Sequence, residues 1–120
     1  MDVMLDTNFI IECIKRKVDM FEIDGSLVIP QQVIIELEDI RAEGSLKDRT
    51  YAETALKIFG VNKEKISIVK LETKYVDMGI TRYAEKNKIV VATLDNELKE
   101  HLRGKARILT LAAGKKLVFL

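Results

Sequence analysis

The amino-acid sequence predicts an α/β fold built on a parallel sheet. Short β-branched stretches alternate with longer stretches in which apolar residues recur at helical spacing. The short stretches are apolar throughout, as in strands that are covered on both faces. Strands separated by helices pair in parallel through right-handed crossovers. We therefore expect a doubly wound central sheet of about five strands with helices on both faces.

The first half of the chain supplies two strands and their helices. The first strand, Val3 to Leu5, ends on an acid and leads into a helix. The second, Leu27 to Ile29, is followed by Pro30, which suits the first turn of a helix running to about Ala42. Gly44 lies just beyond the end of that helix. These boundaries predict a β-α-β-α arrangement.

The second half continues the alternation. A helix is predicted from Leu46 to Phe59 and is ended by Gly60. A strand from Ile66 to Leu71 follows, and Thr73 is placed to cap the next helix. The last predicted strands are Ile89 to Thr93 and Arg107 to Leu111, which are separated by a helix. The complete order is β-α-β-α-α-β-α-β-α-β.

Composition limits the class of protein. The chain has 120 residues, 48% of them hydrophobic, which suits one domain spanning residues 1–120. With 20 basic and 19 acidic side chains, the net charge of +1 does not by itself indicate a polyanion partner or a membrane surface. A single cysteine, Cys13, and a single histidine, His101, exclude an internal disulfide and a zinc site of cysteines and histidines.

The first ten residues, MDVMLDTNFI, carry acids where a signal peptide needs bases. No uninterrupted apolar run approaches the roughly 20 residues of a membrane span. We therefore expect a cytoplasmic protein with no membrane partner.

Four acidic residues follow the predicted strands. Asp6 comes directly after the first strand and Asp95 after the fourth, Glu36 lies in the helix after the second, and Asp77 opens the helix after the third. Ligands of open parallel sheets bind outside the carboxyl ends of the strands. We expect these four carboxylates to lie at one edge of the sheet.

Each acid also has an ordinary structural explanation. Asp6 and Asp95 could cap the helices that follow them, and Asp77 and Glu36 could be solvated surface charges. Together, however, four carboxylates without a compensating lysine repel one another unless a cation lies between them. Mg²⁺ or Mn²⁺ prefers such oxygen ligands and can activate water against a phosphodiester.

Four motifs, which together span nearly the whole chain, are similar to the pattern of PIN-domain nucleases. They are Leu5-Asp6-Thr7-Asn8, Ile29-Pro30 through Glu36-Leu37, Val76-Asp77 and Ala92-Thr93-Leu94-Asp95. This resemblance implies that Asp6, Glu36, Asp77 and Asp95 are catalytic and bind one or two Mg²⁺ or Mn²⁺ ions. It implies that Thr7, Asn8 and Thr93 hold those carboxylates in place. Asn96 stands where some relatives have a further acid, which leaves the number of ions open.

Within that family the chain resembles archaeal relatives of the ribosomal-RNA-processing proteins, through residues 18–22, 47–49 and 114–117. The implied function is a divalent-metal-dependent endoribonuclease that acts in rRNA or other RNA processing. The alternatives are the ribonuclease toxin of a toxin-antitoxin pair (the VapC type) and a non-catalytic RNA-binding assembly module. The implied partners are an RNA substrate, a second copy in a homodimer, and an antitoxin or a ribosome-assembly protein.

A basic segment near the end of the chain is a candidate RNA contact. It contains six basic residues and a single acid, Glu100; the six are Lys99, Arg103, Lys105, Arg107, Lys115 and Lys116. Such a segment would attract phosphate. The alternative is a solvated surface, because no aromatic residues alternate with the charges to stack on bases.

Overall fold

The computed structural model describes all residues from 1 to 120 and contains one six-stranded sheet. Its strands are β1 (Asp2–Leu5), β2 (Ser26–Pro30), β3 (Ile66–Val69), β4 (Val90–Ala92), β5 (Ile108–Leu111) and β6 (Leu117–Phe119). They are ordered β3-β2-β1-β4-β5-β6. The first five are parallel, and β6 pairs antiparallel with β5. The predicted α/β fold with a mostly parallel sheet is confirmed.

Five helices connect the strands: α1 (Thr7–Lys15), α2 (Gln31–Glu43), α3 (Leu46–Val61), α4 (Val76–Asn87) and α5 (Asn96–Leu102). Two short 3₁₀ helices, Met20–Glu22 and Lys63–Lys65, lie before β2 and β3. None of the helices has the length and the apolar composition that a membrane-spanning segment needs.

The sheet buries apolar side chains on both faces. Successive residues of β1 point to opposite sides, so Val3 and Leu5 join one core and Met4 joins the other. Helices α1, α2 and α3 cover the first core, and α4 and α5 cover the second. Each fully buried leucine or isoleucine contributes about 1.5–3 kcal/mol relative to an exposed one. This two-sided burial explains why the central strands are apolar at every position.

The sixth strand was not predicted. It has three residues, none of them fully buried, so its sequence lacks the signal of a core strand. The chain reverses before it at Gly114, whose φ of +74° is one that glycine adopts without strain. Arg16, the C-cap residue of α1, then donates hydrogen bonds from Nη1 to the carbonyls of Ala112 (3.0 Å) and Gly114 (3.2 Å). The side chain thereby ties the hairpin to the helix layer.

Two predicted helix boundaries were wrong. Thr73 does not cap α4, which begins at Val76 with Tyr75 at its N-cap position and no side-chain cap. Instead the Thr73 hydroxyl accepts a hydrogen bond from the Tyr75 backbone N–H (3.3 Å). Helix α3 also continues through Gly60 to Val61.

The third strand differs from the other parallel strands because it lies at the edge of the sheet. It ends at Val69 rather than Leu71, and Ser67 and Ile68 are exposed, Ile68 by 57%. The expectation that every strand is apolar and covered throughout was therefore wrong for β3.

Candidate active site

The four predicted acids line one cleft. The strand order changes direction at β1, which lies between β2 and β4, and ligands of doubly wound sheets bind at such a switch point. A cavity of ≈ 150 Å³ opens there beyond the carboxyl ends of the strands. It is lined by Asp6, Thr7, Asn8, Glu36, Val76, Asp77 and Asp95.

Asp6 is the most buried of the acids, with 8% of its surface exposed. It is the N-cap of α1: its Oδ1 accepts a hydrogen bond from the Phe9 backbone N–H (2.9 Å), and its Oδ2 accepts one from the Thr93 hydroxyl. Burial raises the pKa of Asp6 from 3.8 to about 6, the two hydrogen bonds oppose that rise, and the charges of Asp95 and Asp77 add to it. The two hydrogen bonds therefore fix the orientation of the Asp6 carboxylate, whereas burial disfavours its ionised form.

Asp95 caps the helix on the other side of the cleft. Its Oδ1 accepts hydrogen bonds from the backbone N–H groups of Glu97 (2.8 Å) and Leu98 (3.2 Å) at the start of α5. Its Oδ2 makes no hydrogen bond within the protein. Asp95 can therefore cap α5 with Oδ1 and face the cleft with Oδ2.

Glu36 reaches the cleft from α2. The buried Thr7 donates its hydroxyl to Oε2 of Glu36 (2.8 Å), which links the start of α1 to the middle of α2. Asn8 is exposed at the rim, and no hydrogen bond joins its side chain to a carboxylate. The structure thus gives Thr7 a positioning contact that Asn8 lacks.

Asp77 lies half-buried in the first turn of α4 and makes no side-chain hydrogen bond or ion pair. Loss of hydration raises the pKa of Asp77, and the charges of Asp95 and Glu97 raise it further, whereas His101 of α5 lowers it. Both carboxylate oxygens of Asp77 are therefore free for a ligand.

The cleft is acidic and open. No lysine, arginine or histidine lines it, and none of its acids belongs to an ion pair. No three of the carboxylates lie close enough together to hold a metal ion as they stand, so they do not form a closed cage. Bonds to helix amides and threonines hold the carboxylates of Asp6, Glu36 and Asp95. The donor set, all of it oxygen, nevertheless fits a hard divalent cation once the free oxygens turn inward.

A larger cavity, of ≈ 470 Å³, lies between α1 and α3. Its walls are mostly apolar and include the buried Cys13, whose pKa is raised to about 12 by burial. Asp19 is its only acid. The smaller cleft, by contrast, is lined by four acids.

The basic segment lies before and after β5 in the chain. Its six residues are Lys99, Arg103, Lys105, Arg107, Lys115 and Lys116. Two of them, Arg103 and Arg107, precede β5, at the amino edge of the sheet and opposite the cleft. Arg103 pairs with Glu100 (3.0 Å). The guanidinium of Arg107 stacks on the Phe119 ring at 4.1 Å. Lys115 and Lys116 follow β5 at its carboxyl edge.

A family model described as "PIN like domain" matches residues 3–113. The chain belongs to this family. Over 108 residues this PIN-like domain is 32% identical to a protein named Ribonuclease VapC4 from Methanocaldococcus jannaschii, with 83% of this chain and 81% of that protein covered. The predicted membership of the PIN family is confirmed. The closer resemblance to ribosomal-RNA-processing relatives stays a prediction.

A solved structure supports the fold. This PIN-like domain is similar to a domain of a functionally unknown protein from Methanocaldococcus jannaschii, with a TM-score of 0.64 over 99% of this chain and 96% of that one. The sequence identity is 20%, so the likeness is evidence of the fold alone.

One exposed feature of the rim was missed from the sequence. Tyr75 immediately precedes the cleft residues Val76 and Asp77 and is 62% exposed, with Lys74 Nζ 5.6 Å from the centre of its ring. The signal was present as an aromatic residue beside a lysine just before the third acid motif.

Proposed function

We propose that this PIN-like domain is a divalent-metal-dependent endoribonuclease, with Asp6, Glu36, Asp77 and Asp95 as its metal-binding and catalytic residues. The observation that carries the proposal is the cleft at the switch point of the sheet, where four carboxylates and no basic residue meet. A site of this charge repels RNA phosphate unless a cation is present. The proposal therefore makes activity depend on a divalent ion.

The four carboxylates differ in how many oxygens they have free for a metal ion. Asp6 presents a carboxylate whose direction is fixed by Phe9 N–H and the Thr93 hydroxyl. Asp95 and Glu36 each keep one oxygen free while the other is held by the protein. Asp77 keeps both oxygens free. These free oxygens would ligate the ion and orient the attacking water by accepting its hydrogen bonds.

Bound Mg²⁺ or Mn²⁺ would lower the pKa of a coordinated water and neutralise charge on the scissile phosphate. The carboxylates would place the water for in-line attack on phosphorus, and no lysine or arginine lines the cleft to compete for them.

The test is cleavage of end-labelled RNA, single-stranded and structured, with Mn²⁺ or Mg²⁺. We expect the wild type to cut internally, EDTA to abolish cutting, and both Asp6→Asn and Asp95→Asn to reduce the rate by at least about a hundredfold. Asparagine at position 95 can still cap α5 through its carbonyl oxygen, so that loss would not reflect an uncapped helix. Asp39→Asn, an exposed acid of α2 outside the cleft, is the matched control. Cleavage that survives EDTA, or that falls equally in Asp39→Asn, would refute the assignment.

Two biological roles fit an endoribonuclease of this family. RNA processing with a ribosome-assembly partner is the role that the motifs indicated. The toxin of a toxin-antitoxin pair is a second candidate, because a relative at 32% identity carries the name Ribonuclease VapC4. The toxin role predicts growth arrest on expression that Asp6→Asn relieves and that a small protein encoded beside it suppresses. Unimpaired growth with an active enzyme would favour processing.

A further inference from the structure

We propose that the side of α4 turned away from the acidic cleft carries a separate binding site for an oligophosphate group. By this we mean a diphosphate or triphosphate, either free or at the end of a nucleotide. The site is a cavity of ≈ 250 Å³, the α4 cavity, which is lined by Lys70, Glu72, Gly79, Arg82, Tyr83, Lys86 and Asn87. The inference does not depend on the proposed ribonuclease activity, because it concerns other residues.

The α4 cavity is distinct from the cleft. The two share no lining residue. Asp77 lines the cleft and Lys86 lines the α4 cavity, and about two and a half helical turns separate them along α4. Their side chains therefore leave opposite sides of the helix. A ligand in the α4 cavity would leave the four carboxylates of the cleft untouched.

The charge of the α4 cavity is positive and largely unpaired. Its lining contains three cations, and two of them, Lys70 and Arg82, belong to no ion pair. Glu72, the only acid of the lining, pairs with Lys86 at 3.6 Å. Both side chains of that pair are more than 70% exposed, at 72% and 74%, so the pair is weak. The cavity therefore has a surplus of two positive charges for an anionic ligand.

The cations on the helix lie on one face and repel one another. Gly79, Arg82, Tyr83 and Lys86 recur every three or four residues, which places them on a single side of α4. Arg82 and Lys86 are one turn apart, and like charges at this spacing destabilise a helix. An anion between them would replace this repulsion with two attractions. The carbonyl end of the helix disfavours an anion beside its last turn, so the expected position is closer to Arg82 than to Asn87.

The lining is also rich in free hydrogen-bond donors. The guanidinium of Arg82 makes no hydrogen bond within the protein, so two of its parallel N–H groups can reach two oxygens of one phosphate. Tyr83 is half-buried and its hydroxyl makes no hydrogen bond. Asn87 donates one hydrogen from Nδ2 to the Tyr83 carbonyl (2.9 Å) and keeps the second. Charged and neutral donors together suit a phosphate group, whose oxygens are acceptors.

The size of the cavity limits the ligand. Its ≈ 250 Å³ lies below the roughly 300–1,000 Å³ of pockets that enclose drug-sized molecules. Gly79 sets one wall: a Cβ there would lie 3.0 Å from Leu71 Cβ and Cδ1, so glycine lets the segment that carries Lys70 and Glu72 pack directly on α4. A short chain of phosphates fits such a space, whereas a nucleoside attached to it would extend into solvent.

Calorimetric titration with sodium tripolyphosphate tests the site in a buffer free of divalent ions. We expect saturable binding to the full chain that weakens as NaCl is added, because the site is open to solvent. Arg82→Gln should weaken binding by about tenfold or more, and Arg82→Lys, which keeps the charge but not the fork, by about threefold. Lys70→Gln should also weaken it. Glutamine is a good helix former, so the variant at position 82 should keep its melting temperature.

Two controls separate this site from general electrostatic attraction. Arg41→Gln removes an exposed arginine without an ion pair from α2, which covers the opposite face of the sheet, and Asp95→Asn alters the cleft. Both should bind tripolyphosphate within about twofold of wild type. The proposal is overturned if Arg82→Gln and Lys70→Gln bind like wild type, or if Arg41→Gln weakens binding as much as Arg82→Gln. Oligoglutamate or oligouridylate that binds as tightly, with the same dependence on Arg82, would also overturn it in favour of an extended polyanion.

Titration with ATP, GTP and adenosine identifies the source of the phosphates. Nucleoside triphosphates that bind no more than about tenfold tighter than tripolyphosphate would assign the site to the phosphate chain alone. A larger preference for either nucleotide, lost in Arg82→Gln, would assign it to a nucleotide whose base adds contacts outside the cavity. Adenosine that binds as tightly as ATP would overturn the proposal, because the phosphates would then contribute nothing.

Discussion

The hydroxyl of Thr93 donates a hydrogen bond to Oδ2 of Asp6, although 87 positions separate the two residues in sequence. The same hydroxyl oxygen accepts the backbone N–H of Asp95 (3.0 Å). One threonine at the end of β4 therefore fixes the direction of an acid from β1 and the start of the next helix. The parallel register that pairs Leu5 with Ala92 makes this contact possible.

Thr93→Val should destabilise the metal-free protein by about 1–3 kcal/mol, because it leaves the buried Asp6 oxygen and the Asp95 amide without a partner. It should also raise the pKa of Asp6 further, since the lost hydrogen bond favours the charged form. Urea unfolding at neutral pH measures the first effect. Thr93→Ser, which keeps the hydroxyl, should recover most of the loss.

Thr110→Val is the matched control for that experiment. Thr110 is 7% exposed in β5, and its Oγ1 is buried without a hydrogen-bond partner. Replacing a buried, unpaired hydroxyl with a methyl group should leave stability unchanged or raise it. Equal losses at positions 93 and 110 would mean that the contact with Asp6 contributes nothing specific.

The ionisation of Asp6 should lower the stability of the metal-free protein as the pH rises. Its pKa is raised from 3.8 to about 6, so the folded protein binds this proton more tightly than the unfolded chain does. The resulting stabilisation is complete below pH 3.8 and is lost as the pH rises through about 6. The difference corresponds to about 3 kcal/mol at about 1.4 kcal/mol per pKa unit.

Asp6→Asn isolates this contribution. The unfolding free energy of the variant, minus that of the wild type, should shift in the variant's favour by up to about 3 kcal/mol between mildly acidic and neutral pH. Asp77, whose pKa is also raised, keeps a dependence of the same sign in both proteins. A difference that stays constant with pH would mean that Asp6 ionises as it does in the unfolded chain.

The sequence predicts the strands correctly where burial on both faces requires apolar residues. Central strands such as β1 and β4 are covered on both faces, so their apolar runs predicted them correctly. The edge strand β3 and the hairpin strand β6 are partly exposed and short, and tertiary contacts rather than composition determine their limits. The Arg16 contact with the β6 turn joins residues that are 96 and 98 positions apart, which no local pattern reveals.

Gly60 provides a direct test of one corrected boundary. If α3 extends through Gly60 to Val61, then Gly60→Ala should stabilise the protein by about 0.5–1 kcal/mol, because alanine loses less backbone entropy in a helix and nothing lies within 4 Å of the new Cβ. Gly79→Ala, also within a helix, should destabilise it because the new Cβ meets Leu71 at 3.0 Å. Thermal unfolding of the pair distinguishes the two environments. Loss of stability in Gly60→Ala would place the end of α3 before that residue.

The sequence predicted which acidic side chains line the cleft but not how far apart they lie. Strand ends and acids indicated which side chains would meet at one edge, and Asp6, Glu36, Asp77 and Asp95 do line one cleft. Their separation was not predictable, because it depends on which oxygens the amides of α1 and α5 and the hydroxyls of Thr7 and Thr93 engage. The six basic residues near the end of the chain stay a predicted RNA contact; they precede and follow β5 in the chain.

The open cleft leads to a prediction about Mn²⁺ that needs no RNA. Mn²⁺ should raise the thermal stability of the wild type in a concentration-dependent way, because the ion binds the folded carboxylates and relieves their repulsion. At about a hundredfold above its dissociation constant the gain is about 2.7 kcal/mol. Asp95→Asn keeps the helix cap but removes a free carboxylate oxygen, so it should lose most of that gain. Asp39→Asn, outside the cleft, should keep it, and equal stabilisation of all three proteins by Mn²⁺ would mean that the ion binds elsewhere on the surface.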